Sequence, residues 1–449
     1  MPWLHGWSTT RIVTQSRRSD DADIASPLGS SRCDRAMTPA SVDIAIIGAG
    51  VAGAATAWWL RQMDPSVSVA LIERDPQFAQ ASSQRSASSI RQQFSIPVNV
   101  ALSQFGLRFL QEAEERLAID DQGLALGLTL PGYLYLADAA QAPGLAAQNA
   151  VQRGLGAEIQ LLDPSALAAR FAWLNTQDLA LGSHGEGIEG WFDGPALHMA
   201  FVRAARALGV HWIAQAVEGL EFQGNCTQAP RAGEPVHAGH SRIQAVRLSD
   251  GSLLRCGQVV NATGAWSRGL AAMAGISLPV HARRRTVFLL SCPTVLPDCP
   301  LVIDPSGFWF RPDATHPSGG QRFLLGTTPT IDADDLPLEP QLQEFSDELW
   351  AQLAHRVPAF EAVRIERAWA GYYEMNVFDH NALIGPHAQC PNLLSITGFS
   401  GHGMQQAAGA GRGLAEWILH GQYRSLDLSP LSPDRILRNE PLLEANVIG

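Results

Sequence analysis

Long hydrophobic runs and an excess of positive charge are both missing from this chain of 449 residues. No run approaches the roughly 18 apolar residues that a membrane-spanning helix needs, so no such helix is predicted. The net charge of −11 argues against nucleic acid as a partner, because phosphate binding needs a basic surface. Peripheral membrane contact through a small local patch stays open.

Paired cysteines are missing as well. The six cysteines form neither a CxxC pair nor a cluster with histidines at metal-ligand spacing. No disulfide framework is predicted and no metal is expected, so we interpret them as free thiols in a reducing compartment. They are Cys33, Cys226, Cys256, Cys292, Cys299 and Cys390.

The composition is 46% hydrophobic and 17% charged, which is typical of a large globular protein, here of two domains. Residues 1–40 differ, because they are rich in Ser, Arg and Asp and lack the apolar stretch of a secretory signal. We expect a disordered extension and a cytoplasmic protein of bacterial type. A mitochondrial location would follow only if residues 1–36 act as a transit peptide, and Met37 is a second candidate start.

The most informative segment is a short apolar strand that leads into Gly48-x-Gly50-x-x-Gly53 and a helix-forming run. In this fingerprint the first glycine permits a tight turn, the second lets the backbone approach a pyrophosphate, and the third lets the helix pack on the strand. A second apolar strand ends in Glu73, about 20 residues beyond Gly53, where an acid binds a ribose hydroxyl. A carboxylate there favours FAD or NAD over NADP.

Apolar periodicity predicts helices and strands along the rest of the chain. The predicted helices are 99–118, 195–208 (stopped by Gly209), 341–355 and 404–420. The predicted strands are 132–137, 210–214, 259–264, 393–397 and several within 279–330, with an exposed loop at 223–242. The chain opens and closes with strand–glycine–helix units, which predicts a mixed α/β (α+β) fold: a Rossmann-like domain interleaved with an antiparallel-sheet domain.

Four motifs occur together in a fixed order. They are Gly48–Gly53 with Glu73-Arg74, the serine-rich segment Ser82–Arg91, Val259-Val-Asn-Ala-Thr-Gly-Ala-Trp266, and Gly398-Phe-Ser-Gly-His-Gly403. Together they resemble the D-amino-acid-oxidase/sarcosine-oxidase superfamily of FAD enzymes, over about residues 42–430.

A narrower resemblance rests on three segments within that range. These are Ser89-Ile-Arg-Gln-Gln-Phe-Ser95, Trp369-Ala-Gly-Tyr-Tyr-Glu374 and Gly398-Phe-Ser-Gly-His-Gly-Met-Gln-Gln406. They resemble the FAD-dependent oxidoreductase domain-containing protein family, whose mitochondrial members assist assembly of respiratory complex I.

The resemblance implies FAD as the cofactor and divides the chain into interleaved parts. The FAD-binding domain comprises 41–98, 190–275 and 369–430, the substrate domain comprises 99–189 and 276–368, and 431–449 is a C-terminal tail. Trp266 fits a cofactor wall and a core aromatic equally well. The implied cofactor-binding residues are Gly48, Gly50, Val51, Ala52, Gly53, Glu73, Arg74, Ser82, Ser83, Val217, Gly264, Trp266, Gly401, Gly403 and Met404.

The same resemblance implies a substrate site. Arg91 matches the arginine that holds an amino acid's carboxylate, and a guanidinium fork suits that group. A structural ion pair is the alternative for Arg91, as an ordinary core position is for Tyr372 and Tyr373. The helix that begins near Met404 would direct its positive end at the flavin. The candidate catalytic residues are Arg91, Tyr372, Tyr373, His402 and Gln405, while Arg283–Arg285 is interpreted as a solvated strand edge.

Three departures from the superfamily shape the functional expectation. No cysteine lies in 369–374 and no histidine in 81–91, so FAD is expected to be non-covalent. Gln405 replaces a lysine that helps to hold the substrate carboxylate. Leu324 aligns with a lysine that promotes reaction with oxygen, which favours a dehydrogenase over a fast oxidase.

The expected function is oxidation of a C–N bond of a secondary amine or amino acid by hydride transfer to flavin N5. Electrons would pass to a quinone or protein acceptor, or slowly to oxygen. The alternative is an assembly factor that holds FAD with little or no turnover. The expected partners are a small amine or amino-acid substrate and an electron acceptor or respiratory-complex subunit.

Overall fold

The computed structural model describes residues 39–119, 123–223, 242–317, 319–329 and 331–444. Its strands are β1 (Ser41–Ile47), β2 (Val69–Ile72), β3 (Ser89–Ile90), β4 (Tyr133–Ala137), β5 (Gln160–Leu162), β6 (Leu181–His184), β7 (Gly190–Trp191), β8 (His211–Ile213), β9 (Val217–Phe222), β10 (Ile243–Leu248), β11 (Leu253–Asn261), β12 (Val280–Cys292), β13 (Leu301–Ile303), β14 (Trp309–Thr315), β15 (Gln321–Gly326), β16 (Arg364–Asn376), β17 (Leu383–His387) and β18 (Cys390–Thr397). Its helices are α1 (Val51–Met63), α2 (Pro97–Arg116), α3 (Ala142–Gly154), α4 (Pro164–Arg170), α5 (Gly194–Ala207), α6 (Ser267–Ala272), α7 (Asp347–Arg356), α8 (Gly403–His420) and α9 (Asp434–Leu437).

The first large sheet has the strand order β17-β18-β11-β1-β2-β8, with the β9–β10 hairpin beside β11. Its central pairs, β18–β11, β11–β1, β1–β2 and β2–β8, are parallel. Alternate residues of β1 bury themselves on opposite faces: Ile44 and Ile46 pack against the helices, and Ala45 and Ile47 pack against the hairpin and α6. This doubly covered parallel sheet is the predicted Rossmann-like part.

Helices α1 and α8 make the tightest helix pair on this sheet. A Cβ added at Gly411 of α8 would lie 2.9 Å from the Thr56 nitrogen of α1. The Trp59 indole nitrogen donates to the Ala408 carbonyl at 2.9 Å. Glycine and alanine therefore let the two backbones approach each other, although the segments are far apart in the sequence.

The second large sheet has the order β16-β12-β15-β14-β13-β4-β6-β5, and every pair except β13–β4 is antiparallel. Side chains of α4 and α7 fill its core together with buried phenylalanines of the sheet, including Phe288 and Phe310. The mixed fold class predicted from the sequence is confirmed, whereas the interleaved domain bounds stay a prediction.

Two local predictions are wrong. Helix α7 begins at Asp347 and not at 341, because the Ser346 side chain accepts from the Leu349 amide and caps it. Arg283–Arg285 is not a solvated edge, since β12 pairs with β16 there and Arg284 and Arg285 are 7% and 8% exposed.

Residues 1–38 and 224–241 lie outside the described residues, and the N-terminal extension and most of the predicted 223–242 loop fall there. The strands that flank the loop, β9 and β10, pair with each other as an antiparallel hairpin. In the described part of the chain, no helix combines the length and apolarity needed to cross a membrane. Groups of three or more His, Cys, Asp or Glu that could hold a metal are likewise absent from it.

Candidate active site

The turn from β1 into α1 is closed by glycine. Gly48 has a φ of +99°, and a Cβ added to it would lie 2.4 Å from the Ala262 carbonyl oxygen. A Cβ at Gly53 would lie 2.0 Å from the carbonyl oxygen of Gly48. Gly53 thus serves the packing of α1 against the turn, and it does not line the cavity beside it.

That cavity, which we call the channel, runs past the start of α1 and has a volume of about 500 Å³. Gly50 is the N-cap of α1, so no capping side chain covers the first turn of the helix. The Val51 amide donates to Ser83 Oγ at 3.0 Å. The residues predicted to bind a cofactor that line the channel are Gly48, Gly50, Val51, Ala52, Glu73, Arg74, Ser82, Ser83, Val217, Gly264, Trp266 and Gly403.

Glu73 and Arg74 are held at the end of β2. Glu73 accepts from the amides of Ala49 and Asp75, both at 2.9 Å. The Arg74 guanidinium lies 4.1 Å from the ring centre of Trp266, and the edge of that indole meets the Tyr372 ring. Trp266 therefore forms a wall of the channel instead of a buried core contact.

A second cavity, which we call the inner cavity, adjoins the channel and has a volume of about 160 Å³. Five residues line both: Val51, Ser82, Ser83, Glu374 and Gly403. The structure brings together here every predicted catalytic residue and two further predicted cofactor residues, which leaves Gly53 outside both cavities. These are Arg91, Tyr372, Tyr373, His402 and Gln405, with Gly401 and Met404.

Arg91 follows β3 and is only 2% exposed. Its Nη1 donates to the Gln93 carbonyl at 2.5 Å, and its Nη2 lies 3.0 Å from His402 Nε2. Burial and the nearby Arg91 charge hold the pKa of His402 well below its usual value, so the imidazole is neutral and accepts from the guanidinium. The Phe94 ring also packs against the guanidinium, with its centre 4.0 Å from the guanidinium carbon.

Gln405 fixes the backbone of that arginine. Its Oε1 accepts from the Arg91 amide at 2.9 Å and from Ser103 Oγ at 3.3 Å. A lysine has no acceptor and could make neither bond. Glutamine in place of the lysine expected at position 405 therefore stabilises the backbone of Arg91.

The two neighbouring tyrosines differ. The Tyr372 hydroxyl donates to the Leu336 carbonyl at 2.6 Å. Tyr373 lies against Gly401, where an added Cβ would come 2.5 Å from its ring, and burial raises its pKa. The geometry therefore favours Tyr373 over Tyr372 as the phenol that meets a ligand.

Sequence reasoning missed two residues. Glu374 lines both cavities, and it accepts from Thr397 Oγ1 at 2.7 Å and from the Gly398 amide at 2.9 Å. Burial raises its pKa to about 7. The signal available in the sequence was an acidic residue that directly follows the paired tyrosines, before the buried end of β16.

His198 of α5 supports the glycine turn from behind. Its Nε2 lies 2.7 Å from the Ala49 carbonyl, and its Nδ1 lies 2.7 Å from the Gln84 side-chain nitrogen. Burial lowers its pKa to about 4, so the ring is neutral, donates to Ala49 and accepts from Gln84. A single histidine in an amphipathic helix gave no signal of this contact.

Leu324 does not line the inner cavity. It is 4% exposed and lies with Arg311 and Arg367 in an open groove that meets the inner cavity at residues 85–88.

Comparison with known proteins identifies the family of this chain. The model of the family described as FAD-dependent oxidoreductase (DAO) matches residues 43–417. FAD-dependent oxidoreductase domain-containing protein 1 of Xenopus laevis is 36% identical over 441 residues, which cover 92% of this chain and 86% of that protein.

Solved structures show the same fold. L-proline dehydrogenase from P. horikoshii superposes with a TM-score of 0.75 at 24% identity, covering 90% of this chain and 100% of that one. Glycine oxidase from Geobacillus kaustophilus gives 0.71 at 22% identity, covering 88% and 98%.

Proposed function

Because this chain belongs to the DAO family of FAD-dependent oxidoreductases, we propose that it oxidises a C–N bond of a secondary amine or amino acid. One observation carries the proposal: Arg91 and Tyr373 meet the Gly401–Gly403 turn in a cavity that adjoins the nucleotide-type channel.

The channel suits FAD in shape and chemistry. Its glycine turn leaves no room for a Cβ at Gly48, and the start of α1 offers amides and a positive dipole end for a pyrophosphate. Glu73 would hold the adenosine ribose, Val217 and Trp266 the adenine side, and the start of α8 the flavin end. The cavity linings contain no cysteine among the described residues, which favours non-covalent binding.

The inner cavity would hold the substrate. Arg91 would bind its carboxylate, and neutral His402 would keep the guanidinium oriented without adding charge. FAD supplies a two-electron acceptor for the hydride that leaves the substrate's α-carbon. The nitrogen lone pair of a neutral amine forms the C=N bond, and water then hydrolyses the imine. The chain's contribution is positioning and electrostatics.

The position of Leu324 bears on the electron acceptor. An apolar Leu324 outside the inner cavity supports a quinone or protein acceptor, or slow reaction with oxygen. Four described cysteines, Cys256, Cys292, Cys299 and Cys390, are buried free thiols, which suits a cytoplasmic location. A mitochondrial location is the alternative if residues 1–36 act as a transit peptide.

The test is anaerobic mixing of the FAD-loaded protein with a panel of N-methyl and D-amino acids. Bleaching of the flavin's long-wavelength absorbance by a member of the panel supports the proposal. Arg91→Ala should slow that reduction by about 100-fold or more at low substrate concentration, because a charge-assisted pair is lost. An Arg91→Ala protein that is reduced as fast as wild type would remove Arg91 from the substrate site.

The second candidate function is an FAD-containing assembly factor with little turnover. Gln405 favours it, because a residue expected to hold substrate is occupied with the protein's own backbone. Tight FAD retention with no bleaching across the panel would support this function over catalysis.

A further inference from the structure

Two buried guanidinium groups line the inner cavity, and they come from different parts of the fold. Arg91 follows the short strand β3 and is 2% exposed, whereas Arg285 lies in the middle of β12 and is 8% exposed. Only Arg91 has a place in the proposed chemistry, so Arg285 requires a separate explanation.

The positive charges of Arg91 and Arg285 both act on the phenol of Tyr373. The Arg285 guanidinium carbon lies 5.2 Å from the ring centre of Tyr373. Burial raises the pKa of Tyr373, and the positive charges of Arg285 and Arg91 both oppose that rise. Tyr373 therefore lies within electrostatic reach of both arginines, at the wall where a substrate would sit.

The balance of charge in the cavity is positive. Its lining contains three guanidinium groups, those of Arg85, Arg91 and Arg285, and one carboxyl group, that of Glu374. Arg85 donates to the backbone carbonyls of Ala79 and Ala370. Burying cations is costly unless anions compensate them, so this lining favours a ligand with more than one negative group.

One counter-ion of Arg285 within the protein, Asp332, is shared and partly solvated. Asp332 Oδ1 lies 2.7 Å from Arg285 Nη1, while Asp332 Oδ2 lies 3.2 Å from Arg283. The Asp332 side chain is 42% exposed. Solvent screens that carboxylate, so it neutralises Arg285 less fully than a buried partner would, and an anionic ligand inside the cavity would still be attracted.

We propose that the substrate carries two anionic groups: an amino dicarboxylate whose first carboxylate binds Arg91 and whose second binds Arg285 across Tyr373. This inference rests on the proposed function and names its substrate class. Arg285 is then the residue that distinguishes dicarboxylates from monocarboxylates, because its guanidinium, which already donates to Asp332 and to the Arg284 carbonyl, can add a charge-assisted bond to the second carboxylate.

The test uses ligands that cannot be oxidised, so that binding is scored without turnover. The FAD-loaded protein is titrated with glutarate and valerate, and with succinate and butyrate, by calorimetry and by perturbation of the flavin spectrum. Each pair matches chain length and differs by one carboxylate. Wild type should bind the dicarboxylate about tenfold or more tightly than its partner.

Three variants separate the roles. Arg285→Gln should weaken dicarboxylate binding by about 10- to 100-fold and leave monocarboxylate binding within about twofold, whereas Arg91→Gln should weaken both. Arg283→Gln is the matched control, because Arg283 shares Asp332 but does not line the cavity, and it should change neither. Arg285→Lys, which keeps the charge without the fork, should retain part of the preference.

Equal affinities in wild type would overturn the inference, and so would an equal loss for both ligand classes in Arg285→Gln. A loss in Arg283→Gln that matches Arg285→Gln would assign the effect to Asp332. If Arg285→Gln does not fold, the wild-type pairs and Arg285→Lys still decide. If dicarboxylates bind preferentially through Arg285 but no amine bleaches the flavin, only the proposed oxidation is contradicted. If an amine bleaches the flavin but dicarboxylates show no preference, only the dicarboxylate inference is contradicted.

Discussion

The channel and the inner cavity adjoin each other but are built in different ways. The glycine turn of the channel is shaped by backbone: Gly48, Gly50 and the first turn of α1 come from one continuous segment, while Val217 and Trp266 complete the lining from distant segments. The inner cavity is shaped by side chains from distant segments, as in the bond from the Arg91 amide to Gln405, 314 residues away. A site made from local backbone leaves a pattern in the sequence, whereas one made from assembled side chains becomes visible only in the fold.

The largest expected effect breaks the channel at its turn. Gly48→Ala would place a Cβ 2.4 Å from the Ala262 carbonyl oxygen at a φ of +99°. Crowding and backbone strain together should cost about 3 kcal/mol or more of the free energy of unfolding. The purified protein should lose bound FAD, measured as the ratio of flavin to protein absorbance.

Gly50→Ala is the matched control for that change. Gly50 has a φ of −59°, and an added Cβ would lie 3.5 Å from Ser83 Oγ, which is an ordinary contact. Stability should therefore change by less than about 1 kcal/mol, while FAD affinity falls because the backbone can no longer approach the pyrophosphate. Unchanged FAD affinity in Gly50→Ala would place the phosphates elsewhere.

The next effect belongs to the inner cavity. Gln405→Leu removes the acceptor for the buried amide of Arg91 and should cost about 1 to 3 kcal/mol in urea unfolding. Carboxylate ligands should bind more weakly because Arg91 loses its fixed backbone, yet FAD content should stay close to wild type. Loss of FAD in proportion to ligand affinity would contradict this separation of the two cavities.

A smaller effect concerns the carboxyl group shared by both cavities. Burial raises the pKa of Glu374 to about 7 from an unfolded value of 4.5, so the folded FAD-free protein binds the proton more tightly. Its contribution to stability is complete below pH 4.5 and is lost as the pH rises through 7.

Glu374→Gln should remove about 1 kcal/mol of that pH-dependent loss between pH 6 and pH 8. Urea unfolding of FAD-free wild type and variant at several pH values measures the difference. Parallel curves for the two proteins would show that Glu374 does not titrate in this range.

The smallest effect tests the outer wall of the channel. Arg74→Gln removes a guanidinium that lies 4.1 Å from the ring centre of Trp266, and it should cost about 0.5 to 1 kcal/mol of stability. FAD affinity should fall by no more than a few-fold. A Trp266→Phe protein, which keeps an aromatic face, should lose less in both measurements.

Features that depend on local backbone could be predicted from the sequence, whereas features assembled from distant side chains could not. Helix α8 and the glycine turn before it were predicted within one residue, because small residues and a helix start are local signals. Glu374 was missed because its role arises from Thr397 and the 398 amide, which only the fold brings to it. The buried Arg284 and Arg285 were mistaken for a surface run, since charge alone does not show which strand will cover it.

The pairing of α1 with α8 has a consequence for biosynthesis. Trp59 donates to the carbonyl of Ala408, 349 residues later, and β18 completes the parallel sheet beside β11. A ribosome delivers the glycine turn early, yet the wall that Gly403 gives to both cavities does not exist until α8 has emerged. The first βαβ unit must therefore stay able to pack with α8 through most of translation. Binding of the cofactor is then among the last steps of maturation.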